Sequence, residues 1–459
     1  MLDWLSASLA WLLFNVFRFH VFRSTVGFAD IDLFLFDRKA LTVWMLVPFL
    51  WVFLYYLTGY YVQPRRKTVG GDALITFATT VIGVLLIFFI IIVDDYPEFP
   101  DLYYEIIVGY FLIHVSISWF FRFLITGALL KHQSRGECNV PVLIVGTGSE
   151  ALRLVDDLTK YRLNTPYKLI GCVRFQVISE QLDAALIVGN LDDLPALVKQ
   201  WQVEELIVAI DSLDTDVRYQ LLSRLYELRL PVKAAATPSD ILSGHATSLS
   251  LFGIPMVSLT PGPMPYWQQS IKTVFDRTVA LVCLVVLSPL YVYLAVRVRC
   301  DTKGTVFFKQ ERVGRNGKVF FIYKFRTMYA DAEQHGPRLS HQNDTRVTPY
   351  GRIMRRYRLD ELPQFLNVLK GDMSLVGPRP ERQFFVNQLI ERAPHYYLVQ
   401  QVTPGITSWG MAKFGYADSV DKMIQRLEYD ILYLENQTLL IDLKILLHTL
   451  KPLFSGKGV

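Results

Sequence analysis

Four apolar runs occupy the first 130 residues, at positions 4–17, 41–62, 73–93 and 106–130. A helix needs about 20 apolar residues to cross the hydrocarbon of a bilayer, so the second, third and fourth runs are predicted to span. The first is shorter, and its extension through Arg18, His20 and Arg23 leaves open whether it spans or lies in the interface. The connector Pro64-Arg65-Arg66-Lys67 is basic and is predicted to be cytoplasmic, whereas the acidic connector at 94–98 faces out. Lys131, His132 and Arg135 return the chain to the cytoplasm. Four spans would thus place everything after about residue 131 inside, and Tyr55, Tyr56, Tyr60 and Tyr61 form an interfacial belt at one end of the second.

From Val140 the pattern turns soluble. The run 140–145 reads as a buried strand, 146–151 (Gly-Thr-Gly-Ser-Glu-Ala) as a tight glycine turn, and 152–161 as a helix. Further strands are predicted at 168–174 and 205–210, a Rossmann-like order of elements. The glycine turn suits phosphate on a helix N-terminus, or it simply makes the turn. The second reading is favoured, because the second strand ends at Arg174 rather than at an acid for a ribose. The prolines at 255–265 read as a linker.

The next apolar run, 279–296, is interrupted by Ser288-Pro289. Proline removes a backbone donor, clashes with the preceding turn and biases Ser288 away from helical geometry. Lys272 and Arg277 stand before the run, and Arg297, Arg299 and Lys303 after it. Positive charge at both ends predicts a segment that dips into one leaflet and returns, re-entering at Ser288 and Pro289. The other reading is an ordinary span with a proline kink.

Composition agrees with a membrane protein. The chain is 52% hydrophobic and 19% charged, with mean hydropathy +0.28, where a soluble domain is about 25% charged. Charge is uneven. Thirteen Lys/Arg face seven Asp/Glu between Asp301 and Glu361, a larger excess than the +5 of the whole chain. Anionic lipid, nucleotide phosphate or nucleic acid would suit that stretch. Phe320, Phe321 and Tyr323 alternate there as in a buried strand, which speaks against stacking on bases and hence against nucleic acid. The four cysteines form no Cys-x-x-Cys pair, which excludes a zinc ribbon or a disulfide framework.

The chemistry concentrates at 355–364, Arg-Arg-Tyr-Arg-Leu-Asp-Glu-Leu-Pro-Gln. Asp360 reads as an N-cap, Pro363 as a first-turn residue and Gly371 as the helix stop. Two adjacent carboxylates, Asp360 and Glu361, would then stand at a helix start with Arg355 and Arg358 close by. Such a pair can hold Mg²⁺, and an ionised Asp can attack phosphorus. Lys324 and Arg326 upstream, and Arg379 and Glu381 in the proline-stiffened Gly-Pro-Arg-Pro-Glu at 377–381, supply phosphate-binding candidates.

The region from about Lys272 to the end resembles the bacterial sugar transferases, the monotopic phosphoglycosyl transferases that use polyprenyl phosphate. The resemblance rests on eight ordered motifs: Lys272 with Asp276-Arg277, Ser288-Pro289, and the segments 310–314, 324–328, 359–364, 371–374, 377–381 and 403–407. Four spans and a Rossmann-like domain ahead of them resemble the large members of the family. The resemblance implies an inner-membrane enzyme with its catalytic domain facing the cytoplasm. It would move a sugar-1-phosphate from a UDP-sugar to undecaprenyl phosphate and release UMP, as the first membrane step of exopolysaccharide, capsule or O-antigen (lipopolysaccharide) synthesis. Asp360 would be the nucleophile and form a phosphosugar-aspartate. Glu361 would assist through Mg²⁺ or proton handling, and Lys324, Arg326, Arg355, Arg358, Arg379 and Glu381 would bind substrate. A homodimer is expected. Two positions depart from the family pattern: Arg358 stands where serine is frequent, and Ser408 where glycine is usual.

The expected architecture is therefore mixed α and α/β: transmembrane helices over 1–134, a Rossmann-like domain over 135–261, and a catalytic domain with a re-entrant helix over 262–459. A membrane-bound nucleotide-sugar dehydratase or epimerase would share the first two parts, but its Tyr-x-x-x-Lys pair occurs nowhere in the chain. A non-catalytic scaffold would have no use for Asp360 and Glu361 among arginines.

Overall fold

A computed structural model describes the chain except residues 22–29, 63–64, 66, 68, 93–100, 135–138, 161–166, 176–181, 211–214, 237–246, 249–254, 263, 335, 337, 340–343, 416 and 456–459. Pro64, Arg66, the acidic connector at 94–98, Arg135, Cys138 and Pro263 thus lie outside the described residues. The chain divides into two compact units. The first comprises Met1–Val140, Tyr161–Lys168 and Tyr266–Ile271, and the second the remainder.

The first unit is helical: α1 (Leu2–Val21), the short α2 (Ile31–Leu35), α3 (Arg38–Leu57), α4 (Val69–Ile87) and α5 (Asp101–Ser134). Among the described residues, three helical stretches are long and apolar enough to cross a membrane, namely Arg38–Leu57, Val69–Ile92 and Leu102–His132. Large apolar side chains point outward from them, with Met45 and Leu74 each 70% exposed. That is costly in water and natural in lipid. The first apolar run is a 20-residue helix, longer than its apolar stretch predicts. It packs on α3 and α5, and Asp3 at its start pairs with Arg122 of α5 at 3.0 Å. Charge buried inside a helical bundle is tolerated when it is paired in this way.

The second unit opens with a seven-stranded sheet of order β3-β2-β1-β4-β5-β7-β6. Its strands are β1 (Val140–Val145), β2 (Tyr167–Arg174), β3 (Ile187–Asn190), β4 (Glu205–Val208), β5 (Val232–Ala235), β6 (Thr247–Ser248) and β7 (Pro255–Ser258). Helices α6 (Ser149–Lys160), α7 (Leu194–Trp201) and α8 (Thr215–Glu227) connect them. Leu143, Val145 and Leu206 are fully buried in the sheet, and each such side chain stabilises by roughly 1.5–3 kcal/mol. Gly146 has φ +133°, and a Cβ there would meet the Ala209 carbonyl oxygen. Close approach to Ala209, just past β4, therefore accounts for this glycine. The start of the expected linker is instead β7, antiparallel to β5 and β6. Pro255 fits because it opens the strand, where its missing N–H costs least.

After the sheet come α9 (Tyr266–Val286) and α10 (Ser288–Asp301), which meet at a 63° bend. The break falls on Leu287 (φ −87°, ψ 4°), one residue earlier than the expected Ser288. Pro289 sits in the first turn of α10, where its missing donor would be unpaired anyway, so it begins the second helix rather than distorting the first. Val285 and Val286 at the bend are 65% and 68% exposed, which calls for apolar surroundings.

The rest of the second unit is a hairpin and a helical cluster. Strands β8 (Phe307–Val313) and β9 (Val319–Phe325) pair antiparallel, followed by α11 (Pro349–Arg356) and α12 (Phe365–Lys370). Then come β10 (Ser374–Val376), α13 (Gln383–Arg392), β11 (Gly405–Thr407), α14 (Trp409–Lys413), α15 (Val420–Glu435) and α16 (Leu439–Ser455). Strands β10 and β11 pair in parallel, which brings three of the sequence motifs, 371–374, 377–381 and 403–407, together. Lys272 on α9 donates to Asp442 at 2.6 Å, and Asp276 accepts from the Ser374 hydroxyl at 2.6 Å. These motif residues fasten α9 to the cluster.

Candidate active site

The acid pair sits on a six-residue 3₁₀ helix, Leu359–Gln364, that runs into α12. Asp360 is not the N-cap. It lies inside the first turn, and the cap position is Arg358 in the left-handed region (φ 54°) with no side-chain cap. A non-glycine residue there costs roughly 1 kcal/mol or more. Gly371, with φ 88°, ends α12 as its position predicts. A helix dipole contributes little at this site, because the run is short and its first turn is 3₁₀.

Neighbouring elements hold the 3₁₀ helix in place. Asn367 is fully buried. Its amide donates to the Phe321 carbonyl at 2.7 Å, and its oxygen accepts from the Tyr323 N–H at 3.1 Å. The side chain thereby pairs with β9 as a further strand would. Tyr291 of α10 donates to the Leu362 carbonyl at 2.7 Å, which ties the bent helix to the acid pair.

Lys324 on β9 donates to Glu361 Oε1 at 2.8 Å, and Arg379 Nη2 donates to the same oxygen at 3.3 Å. Burial alone would raise the Glu361 pKa, but Lys324, Arg379 and Arg358 hold it well below the usual carboxylate range. Asp360 moves the other way. Burial raises it, with the Glu361 charge adding and Lys324 and Arg355 opposing. Burial lowers Lys324, and Glu361 offsets part of that.

The eight residues picked from sequence for acid and phosphate chemistry all line one cleft of about 580 Å³: Asp360, Glu361, Lys324, Arg326, Arg355, Arg358, Arg379 and Glu381. Their placements differ. Arg326 spends its terminal nitrogens on the Thr302 and Lys303 carbonyls, at 2.7 and 3.2 Å, and so secures the end of α10. Arg355 donates to Thr327 Oγ1 at 3.0 Å. Glu381 is buried between two guanidiniums, Arg312 at 3.1 Å and Arg426 at 2.7 Å. Those cations outweigh burial and lower its pKa. Both Glu381 oxygens are thus engaged by arginines in the cleft wall. Ser288 and Pro289 belong to the bend and not to the cleft lining.

Arg426 was not picked from sequence. Its signal is that Arg426 and Asp430 interrupt the buried stripe Met423, Leu427 and Leu434 of α15. Asp430 accepts from the Gly410 N–H at 3.0 Å, and burial pushes it up to about 6. Ser408, where glycine is usual, caps α14 by accepting from the Met411 N–H at 3.0 Å. Among the described residues no cluster of three or more His, Cys, Asp or Glu could hold a metal. Two adjacent carboxylates still fit Mg²⁺, which is usually held by one or two carboxylates together with substrate phosphates.

Residues 267–456 match the family model of bacterial sugar transferases. The chain is 38% identical over 239 residues to the UDP-N-acetylgalactosamine-undecaprenyl-phosphate N-acetylgalactosaminephosphotransferase of Aeromonas hydrophila, covering 52% of this chain and 56% of the relative. It is 30% identical over 343 residues to the UDP-glucose:undecaprenyl-phosphate glucose-1-phosphate transferase of Xanthomonas campestris pv. campestris, covering 72% and 69%. It is 38% identical over 189 residues to an uncharacterized sugar transferase of Bacillus subtilis, covering 41% of this chain and 90% of that one. The matched region thus spans little more than half of the Aeromonas relative. With the acid pair and the arginine-lined cleft together in the second unit, the chain belongs to the bacterial sugar transferase family.

Proposed function

We propose that this protein transfers a sugar-1-phosphate from a UDP-sugar to undecaprenyl phosphate through a covalent intermediate on Asp360. The observation that carries the reading is the split of the acid pair: Glu361 takes both Lys324 and Arg379, while Asp360 stays buried beside it in the same cleft. An ionised carboxylate without a short ion pair is the better nucleophile of the two. One Asp360 oxygen attacks the phosphorus that bears the sugar. The bond from that phosphorus to the bridging oxygen breaks, and UMP leaves with both bonding electrons. A phosphate oxygen of the lipid then attacks the same phosphorus, and the Asp360 carboxylate is released. Lys324, Arg379 and Arg358 balance the phosphate charge, and Arg355 tempers that of Asp360. Mg²⁺, held by Asp360, Glu361 and the diphosphate, would supply further charge neutralisation.

The same reading assigns the surroundings. Helix α1 joins the three apolar spans in a four-helix bundle, α9 and α10 re-enter the membrane, and the mostly parallel, mixed sheet is a Rossmann-like scaffold without a nucleotide. The cleft faces the cytoplasm at the inner membrane, where UDP-sugars are made, and the protein acts as a homodimer at the first membrane step of a surface polysaccharide. The named relatives use different sugars, glucose and N-acetylgalactosamine, so the donor is left as a UDP-hexose. The test is the full-length protein with undecaprenyl phosphate and radiolabelled UDP-glucose, UDP-galactose and their N-acetylated forms. Labelled lipid with equal release of UMP is expected from one of them. Turnover that yields free sugar phosphate, or no UMP from any donor, overturns the reading.

A further inference from the structure

Helix α8 of the sheet layer ends at Glu227, and the chain turns through Leu228 and Arg229. Arg229 has φ 55°. Glycine or asparagine normally takes that position after a helix, because a Cβ is strained there. Such strain persists when tertiary contacts over-determine it, and here the contacts are visible. Arg229 Nε donates to Gln400 Oε1 at 3.1 Å, and Nη1 to the Asn316 carbonyl at 3.5 Å. Its guanidinium also lies over the Tyr397 ring at 5.4 Å.

The partner side is fitted to it. Asn316 and Gly317 form the turn between β8 and β9, both with positive φ. A Cβ on Gly317 would come within 2.4 Å of the Arg229 guanidinium carbon. Glycine leaves room for the arginine where it lies, and any side chain here would push the guanidinium aside. Gln400 is 4% exposed, so its acceptor is a buried one.

The strand that leads into that turn reaches the cleft, which Arg312 lines. Four residues before Gly317, the Val313 N–H donates to the Glu381 carbonyl at 2.9 Å. Arg312 beside it donates to the Pro380 carbonyl at 2.9 Å. Pro380 and Glu381 directly follow Arg379, which holds Glu361.

We propose that Arg229 is a positioning residue for the cleft: it clamps the 314–318 turn from the sheet layer and thereby fixes the segment that carries Arg379. The sheet layer is then a working part of the site, and a movement of the end of α8 is felt at Arg379. The kinetic consequence rests on the function proposed above, whereas the mechanical one does not.

The experiment uses the full-length protein in nanodiscs with Arg229→Ala, Arg229→Lys, Gly317→Ala and the Arg229→Ala/Gly317→Ala double variant. Arg224→Ala, a change on α8 itself that breaks an exposed ion pair to Asp192, is the control. Hydrogen exchange is read at the amides of Val313 and Lys318. Arg229→Ala should speed it about fivefold or more, as expected when a local clamp opens without global unfolding. In the transfer assay, KM for the UDP-sugar should rise several-fold, with kcat changed less. Lysine should not restore either value, because an ammonium cannot reproduce the planar fork of arginine. Gly317→Ala strains the turn at φ 73° besides crowding the arginine, so the double variant should lose less than the product of the two single losses. Unchanged exchange at Val313 and Lys318 in Arg229→Ala, or losses that multiply in the double variant, overturn the proposal. If Arg229→Ala loosens β4 itself, Gly317→Ala, which leaves the sheet layer intact, decides in its place. A wild type without transferase activity would sink the proposed function alone, because the exchange result still decides whether the clamp exists.

Discussion

Lys324 Nζ donates to Glu361 Oε1 at 2.8 Å, so the lysine of the hairpin serves the second acid of the pair rather than the first. Arg379 reinforces that choice from the opposite wall at 3.3 Å. The consequence is electrostatic. Glu361 is held ionised far below the ordinary carboxylate range, while burial lifts Asp360 above it. Neighbouring acids pushed apart in this way can take separate roles. In the proposed mechanism Glu361 organises the cations and Asp360 attacks.

Replacing Lys324 by Met removes one cation from Glu361 and leaves a buried carboxylate with Arg379 alone. Removing one partner of a buried pair typically costs about 3–5 kcal/mol of stability, and the loss of a preorganised charge lowers kcat by about a hundredfold or more. Both are expected, the first by thermal unfolding and the second by UMP release. Normal kcat in Lys324→Met would remove the lysine from the chemistry.

Asp360→Asn should abolish transfer and yet stabilise the protein at neutral pH. The folded pKa of Asp360 lies above its unfolded value, so its stability contribution is present below the unfolded pKa and lost as pH rises through the folded one. Ionised Asp360 is therefore a liability that the amide relieves. Glu361 has the opposite sign, because its folded pKa is depressed: its contribution is present above the unfolded value and lost as pH falls. Thermal unfolding near neutral pH should show a higher midpoint for the Asn variant. For the wild type, kcat/KM should rise with pH through an apparent pKa above the usual carboxylate range. A lower midpoint for Asn, or activity that survives well below pH 4, contradicts this assignment of the pair.

The acid pair is legible in the chain because adjacent carboxylates among arginines are rare company, and motif order adds to them. The interrupted apolar run is equally legible, since Pro289 and basic flanks mark it without any knowledge of tertiary structure. What sequence hides is which cation meets which acid. Arg326 and Arg379 look alike as motif arginines, yet one holds the end of α10 and the other reaches Glu361. Arg426 is hidden for another reason: it lies 45 residues from its partner Glu381, on a helix that otherwise reads as amphipathic. The strand β7 escapes because Pro255 signals a linker, and only the pairing with β5 and β6 overrides that signal.

Pro289→Ala should loosen the topology of the bent pair. Proline in a helix interior costs about 3 kcal/mol, and alanine would let α9 and α10 run on as one straight helix. Cysteines placed at Lys272 and Lys303 should be labelled only from the cytoplasmic side in the otherwise native chain. In the Pro289→Ala background, part of the Lys303 site should become accessible from outside. Labelling of the Lys303 site from outside without the Pro289 change would instead show an ordinary span.

Chelation tests the acid pair as a cation site. EDTA should stop transfer, and Mg²⁺ should restore it. Turnover that persists after full chelation would leave Asp360 and Glu361 to act without a metal.

The most direct test is the intermediate itself. The full-length protein is mixed with its UDP-sugar in the absence of lipid acceptor, quenched, digested and analysed by mass spectrometry. The account predicts one phosphosugar on Asp360, UMP released in no more than one equivalent per site, and loss of the adduct when undecaprenyl phosphate is added. Steady transfer to lipid with no adduct on Asp360, or the same adduct in Asp360→Asn, would contradict it.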